Sequence, residues 1–262
     1  MPSPVILALG AGLFTWALTA LGATVVFGRK QPGSVWLDGS LGFAGGVMIA
    51  ASFWSLLEPA VELSSQLGMP RWLPATVGCL LGAASIRLVD LLLPHLHPGL
   101  QTPEGIKTDW HRSLLLVLAI TLHNIPEGLA IGVAFGAVGS GLPGATLGAA
   151  LALTLGIALQ NVPEGMAVAM PIRQEGKSAR ESFMWGQASA LVEPLAAVVG
   201  AGLVLWTRPL LPFALAFAAG AMIFVVIEEV MPAAHRRGRS DLASLSFLAG
   251  FVVMMALDLA LG

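Results

Sequence analysis

Charge is scarce in this chain. Only 11% of its 262 residues are charged, against 56% that are hydrophobic, where an ordinary soluble domain carries about 25% charged residues. Mean hydropathy is +0.83. With several apolar runs of about 20 residues, this excludes a soluble domain and points to an all-α integral membrane protein. Cysteine is confined to Cys79, so no internal disulfide can form. Cys79 sits in an apolar run and reads as a small packing residue. Net charge is −2, and no basic patch is large enough for a nucleic-acid partner. There is no Walker-type P-loop, which excludes ATP-driven pumping by this chain alone. The first apolar run lacks a basic leading segment and reads as a true span, not a signal peptide.

What is present divides into eight expected spans, at roughly 4–27, 39–61, 73–95, 113–137, 144–170, 183–205, 209–230 and 242–260. They form a single transmembrane domain over residues 1–262. Lys and Arg set the orientation. Loops after spans one, three, five and seven hold Arg29, Lys30, Lys107, Arg112, Arg173, Lys177, Arg180, Arg236, Arg237 and Arg239. Loops after spans two, four and six hold only Arg71 and Arg208. The positive-inside rule places the first set in the cytoplasm and both termini outside. Gly128, Gly132 and Gly136 in span four, and Gly78 and Gly82 in span three, recur at intervals of four. That spacing lets helix backbones approach closely in lipid.

Polar groups deep in apolar segments carry the chemistry. Span four contains Leu122-His123-Asn124-Ile125-Pro126-Glu127-Gly128, and span five contains Leu159-Gln160-Asn161-Val162-Pro163-Glu164-Gly165. On a helix advancing about 100° per residue, His123, Glu127 and Asn124 fall at roughly 0°, 40° and 100°. Gln160, Glu164 and Asn161 fall on the same arc of their own helix. Each proline removes an N–H and leaves the carbonyl four residues back under-satisfied, so both helices are expected to kink. The two spans run in opposite directions, and both carboxylates lie in the middle part of the membrane at 1.5 Å per residue. Related, interrupted helices with polar groups at the midplane are the expected form of a transporter site.

Other ionisable groups mark a track. Glu58 and Glu62 lie near the outer end of span two, and Glu193, followed by Pro194, near the middle of span six. Glu228 and Glu229 lie near the inner end of span seven, and Asp90, His95 and His97 at the inner end of span three. Arg87 is the expected partner of Asp90, and Asp258 is read as interfacial. Each buried charge costs about 2.5–3.5 kcal/mol at a helix centre, so Glu127, Glu164 and Glu193 together cost roughly 8–10 kcal/mol if summed. No basic residue at that depth neutralises all three. Either they are protonated or a cation compensates them.

Carboxylate, imidazole and amide oxygen together suit a borderline divalent transition metal such as zinc, iron or manganese. Calcium and magnesium prefer all-oxygen shells. Two carboxylates from facing helices could bridge two metals about 3.5–4 Å apart. No tight thiolate set of a structural zinc site is present. Amide ligands bind more weakly, as befits an ion that must leave again. Two rivals stay open at this point. One is a membrane-embedded di-metal carboxylate enzyme, although such sites use a Glu-x-x-His pair on each of two helices and here only His123 lies at mid-depth. The other is a permease for an organic solute with the carboxylates as a proton relay.

The HNIPEG and QNVPEG motifs, Leu191-Val192-Glu193-Pro194 in span six and Glu228-Glu229-Val230-Met231-Pro232 in span seven resemble the ZIP (Zrt-, Irt-like) metal transporters, in particular their bacterial GufA-like branch. The resemblance covers essentially the whole chain. It implies two inverted three-helix repeats around spans four and five, alternating access, and transport of divalent metal into the cytoplasm. It implies that His123, Asn124, Glu127, Gln160, Asn161, Glu164, Glu193 and Glu229 form a central, often binuclear, metal site. Glu58, Glu62, Asp90, His95, His97 and Glu228 then line the route. Zinc is the expected cargo, with cadmium, iron and manganese as further candidates. The resemblance also implies pairing as a homodimer. Short loops and the lack of a targeting segment fit a bacterial inner membrane. Three features depart from the family. The loop between spans three and four has no histidine-rich tract, position 228 is Glu where many relatives have His, and the second motif begins with Gln160.

Overall fold

The structure is a computed structural model, and it describes residues 3–28, 34–92, 112–141, 145–206, 208–235, 238 and 240–261. The expected His95, His97 and Lys107, with Arg29, Lys30, Arg236, Arg237 and Arg239, lie outside the described residues.

Among the described residues the chain is helical wherever it crosses an apolar run. α1 spans Pro4–Ala23, started by Ser3, whose hydroxyl accepts from the Ile6 N–H. α2 spans Ser34–Ala51 and passes through a π turn, Ser52–Leu57, into α3, Glu58–Gln66. α4 spans Trp72–Leu92, α5 Arg112–Gly139 and α6 Leu147–Gln174. α7, Ala179–Ala188, is separated by a short turn from α8, Val192–Trp206. α9, Leu211–Val225, passes through a second π turn, Val226–Val230, into α10, Met231–His235. α11 spans Ser240–Leu261.

Seven of the resulting segments are long and apolar enough to cross a membrane. α5 is the other long segment. Its 28 residues carry His123, Asn124 and Glu127 in the middle. The faces turned outward are those of a protein dissolved in lipid. Leu80, Leu195, Leu245 and Leu259 are each 65–70% exposed, an apolar surface that water would not tolerate on this scale. The protein is an integral membrane protein.

Both π turns have the same cause. Glu58 donates its N–H to Phe53 and Met231 to Val226, five residues back in each case. The next residue is Pro59 or Pro232, which has no N–H to offer. The ladder slips by one residue ahead of each proline, and π turns of this kind concentrate at functional positions. By contrast α5 and α6 run through Pro126 and Pro163 without interruption.

The helices fall into two groups. α5 packs on α8, and α1 packs on both α6 and α8. α2 packs on α11, and α4 on α9. The groups meet where α2 crosses α6 and α5 crosses α9. Small residues make the close contacts, as their spacing predicts. A Cβ at Gly132 would fall on the carbonyl of Ala197, and one at Gly136 would come 2.8 Å from the Cβ of Val204. Gly82 meets the Phe217 carbonyl of α9 in the same way.

Candidate metal-ion site

α5 and α6 bring their two motifs together at the centre of the first group. The Gln160 amide donates to Glu127 Oε1 at 2.5 Å. Glu127 lies within electrostatic reach of both Glu164 and Glu193. Asn124, Glu127, Gln160, Asn161 and Glu193 are fully buried, and Glu164 is 9% exposed.

The break between α7 and α8 supplies the third side. Pro194 cannot donate, and the Glu193 N–H bonds to Ala190, three residues back. The carbonyl of Ser189 therefore lacks its usual helical partner and accepts from the Asn124 amide at 2.9 Å. Glu193 itself is tied down. Thr15 on α1 donates to its Oε2 at 2.5 Å. The Asn161 amide donates to both carboxylate oxygens at 2.9 Å and to the Thr15 carbonyl at 3.2 Å. His123 Nε2 meets the carboxylate of Glu229, which the second π turn directs inward while its neighbour Glu228 stays exposed.

Among the described residues, five buried oxygens in this cluster have no hydrogen-bond donor: Asn124 Oδ1, Glu127 Oε2, Gln160 Oε1, Asn161 Oδ1 and Glu164 Oε2. Leaving a buried acceptor unmet costs about 1–3 kcal/mol, and more when it is charged. All five are acceptors, so a cation would satisfy them, as would water or a proton when no ion is bound. Among the described residues, no three His, Cys, Asp or Glu side chains stand in a ready-made metal-holding arrangement. Amides and the Thr15 hydroxyl are the partners of these carboxylates instead. They occupy Glu127 Oε1 and both oxygens of Glu193.

Two clefts approach the cluster from opposite ends. One, of about 430 Å³ including its open mouth, is lined by Leu41, Ile120, His123, Glu164, Glu229 and Ala233. The other, of about 470 Å³, is lined by Ser55, Pro59, Glu62, Ala134, Ala149 and Leu215 among others. Between His123 and Ala134 along α5 lie about 16 Å of helix at 1.5 Å per residue. That interval is closed by Ala130, Ile131, Leu153 and Ile157, all fully buried.

Among the expected route residues, Glu62 lines the second cleft and Glu58 is exposed near it. Asp90 is buried, while Arg87, its expected partner, is exposed. Asp258 departs from its interfacial reading. It is only 8% exposed and accepts from Ser55 at 2.5 Å. The sequence reading missed Thr15, Ser189 and the fully buried Asp38. Thr15 and Thr19, one turn apart and both buried on an otherwise apolar helix, were the available signal for the first.

The comparisons with known proteins agree with this geometry. A family profile described as ZIP zinc transporter matches residues 106–258. The chain is 43% identical to zinc transporter ZIP11 of Bos taurus over 337 aligned positions, covering 99% of this chain and 98% of the relative. It is 41% identical to zinc transporter ZIPB of Bordetella bronchiseptica, covering 96% of this chain and 80% of that protein. It is 38% identical to zinc transporter GufA of Myxococcus xanthus, covering 97% and 100%. These are transporters and not enzymes, which removes the di-metal enzyme as a rival. The paired motifs, the break at Glu193-Pro194 and full-length similarity lead to one conclusion: the chain belongs to the ZIP family of zinc transporters, in its GufA-like branch.

Proposed function

We propose that this protein carries divalent transition-metal ions, zinc foremost, into the cytoplasm through a site at mid-membrane between α5 and α6. The observation that carries this reading is the set of five buried oxygens without donors, two of them on carboxylates. The relatives' names as zinc transporters point to the same cargo. His123, Asn124, Glu127, Gln160, Asn161 and Glu164 hold the ion, and Glu229 receives it. Imidazole beside carboxylate and amide oxygen favours zinc, iron or manganese over calcium or magnesium.

The reading has eight spans with both termini outside. Arg173 in the last turn of α6, with Lys177 and Arg180 just beyond it, marks that end as cytoplasmic. The cleft lined by His123, Glu164 and Glu229 then opens inward, and the cleft lined by Glu62 opens outward. The conformation described is open to the cytoplasm, with Ala130, Ile131, Leu153 and Ile157 as the closed outer gate. Exchanging α1 with α8, α2 with α9, α4 with α11 and α5 with α6 maps three main packings onto their counterparts: α5 on α8 onto α6 on α1, α2 on α11 onto α9 on α4, and α2 on α6 onto α9 on α5. It also brings one π turn onto the other. This supports two inverted three-helix repeats around α5 and α6. Transport proceeds by movement of one helix group against the other, which exposes the site to each side in turn. A bacterial inner membrane is the proposed setting.

Metal uptake into proteoliposomes tests the reading. Zn²⁺, Cd²⁺, Fe²⁺ and Mn²⁺ are offered separately, with folded Glu127→Ala, Glu164→Ala protein as control. Uptake that the double variant loses is expected. Uptake at the wild-type rate by that variant refutes the site.

A further inference from the structure

Glu193 is one of three carboxylates at the centre of the membrane, yet it differs from the other two. Glu127 and Glu164 each keep an oxygen without a donor, and Glu193 keeps none. Three donor contacts converge on it, from a hydroxyl on α1 and an amide on α6. The orientation of the Asn161 amide is fixed by its surroundings. Its partners on that side are the Thr15 carbonyl and the Glu193 carboxylate, all acceptors, so only the NH₂ can face them. The amide oxygen is then left on the other side, where it has no donor. Asn161 thus works as a partition. Its nitrogen closes the Glu193 compartment and its oxygen adds to the open set on Glu127, Gln160 and Glu164.

We propose that Thr15 and Asn161 hold Glu193 out of the metal shell, so that the central site binds one ion and not two. Glu193 is a positioning residue: it joins α1, α6 and α8 at one buried point and keeps the Asn161 oxygen turned toward the cargo. The inference rests on the proposed transport reading. It replaces the binuclear expectation with a mononuclear site built from α5 and α6 alone. It assigns Thr15, on a helix with no other role in the motif, to the machinery. A carboxylate at position 161 removes the donor that occupies Glu193. Two facing carboxylates then require a cation between them, and a second ion position opens.

The test is the number of Zn²⁺ ions bound per chain by the full-length protein in detergent micelles, measured by calorimetry and by metal analysis after desalting. Size-exclusion profile and circular dichroism verify the fold of each variant. Wild type is expected to bind one ion. Glu193→Gln is expected to bind one as well, more weakly than wild type, because the Asn161 amide loses the carboxylate that orients it. Asn161→Asp is expected to bind two, and Asn161→Asp, Glu193→Gln to return to one. Thr15→Val should raise KM for uptake while Thr15→Ser, which keeps the hydroxyl, restores it. Two ions on wild type with one lost in Glu193→Gln overturns the proposal and leaves the transport reading standing. One ion on Asn161→Asp also overturns it. No Zn²⁺ on wild type, or binding unchanged in Glu127→Gln, Glu164→Gln, overturns the transport reading itself.

Discussion

His123 and Glu229 form a side-chain hydrogen bond that joins the two helix groups. The other polar side-chain links at the core, Thr15 with Glu193, Asn161 with Glu193, Gln160 with Glu127 and Asn124 with Ser189, all stay within the first group. The pair also lines the cleft that contains Glu164. Replacing Glu229 with Ala should therefore weaken the conformation described here relative to its opposite. A buried hydrogen bond to a charged group contributes about 1.5–3 kcal/mol, and its two members are 9% and 3% exposed, so solvent screening reduces this little. That energy corresponds to a shift of roughly 10- to 150-fold in the balance between the two conformations. The assay is labelling of Ala130→Cys, in a Cys79→Ser background, by a maleimide that cannot cross the membrane. Ala130 is fully buried one turn from the cleft-lining Ala134, so labelling from the Glu62 side reports opening of that gate. The rate should rise at least about 10-fold in Glu229→Ala. Glu229→Gln keeps a neutral hydrogen bond, worth about half as much, and should fall between. An Ala130→Cys labelling rate unchanged within about twofold across the series would refute the assignment of this pair as a link between the groups.

Two further substitutions probe the packing that positions the site. Gly132→Leu should destabilise the protein by at least about 1–3 kcal/mol, because a side chain there meets backbone of α8 that cannot yield. Gly202→Ala, which meets nothing within 4 Å, should stay within about 0.5 kcal/mol of wild type; thermal melts in one detergent compare the two. Asn124→Ala should cost about 1–3 kcal/mol by leaving the Ser189 carbonyl without a donor. It should also slow zinc uptake, since the same change removes Asn124 Oδ1. A variant with intact melting temperature and intact uptake would show that Asn124 does neither job.

Much of this was legible in the sequence for physical reasons that can be named. Hydrocarbon penalises polar groups so heavily that His123, Asn124, Glu127, Gln160, Asn161 and Glu164 stand out as candidates from their depth alone, and the structure brings them together at one buried cluster. The four-residue glycine spacing in α5 and α4 correctly marked the faces that meet α8 and α9. Backbone slips were not legible. With a regular 3.6-residue period Glu228 and Glu229 are neighbours of similar standing, and only the π turn decides that Glu229 turns inward and Glu228 outward. Nor were partners distant in sequence. Ser55 and Asp258 are 203 residues apart, so an aspartate near a span end read as interfacial when it was buried. Thr15 lies in a helix whose composition is unremarkable, and its importance depends on Glu193, 178 residues away.

The use of amides in this site follows from what a cargo site must survive. A resident metal site can rely on its ion, so thiolates or clustered carboxylates suffice. A transport site is empty for part of every cycle, and its carboxylates then sit buried without their cation. An amide suits both states. Through its NH₂, Gln160 holds Glu127 when no ion is present, while its oxygen stays available as a ligand. Asn161 does the same toward Glu193. Histidine at either position offers one ring nitrogen as acceptor when neutral and none when protonated. Aspartate offers no donor at all and adds a charge to a cluster already holding three carboxylates. On the proposed transport reading, the second motif's Gln-Asn pair, unequal to the first motif's His-Asn, holds Glu127 and Glu193 while the site is empty and offers its amide oxygens beside Glu127 and Glu164 when an ion is bound.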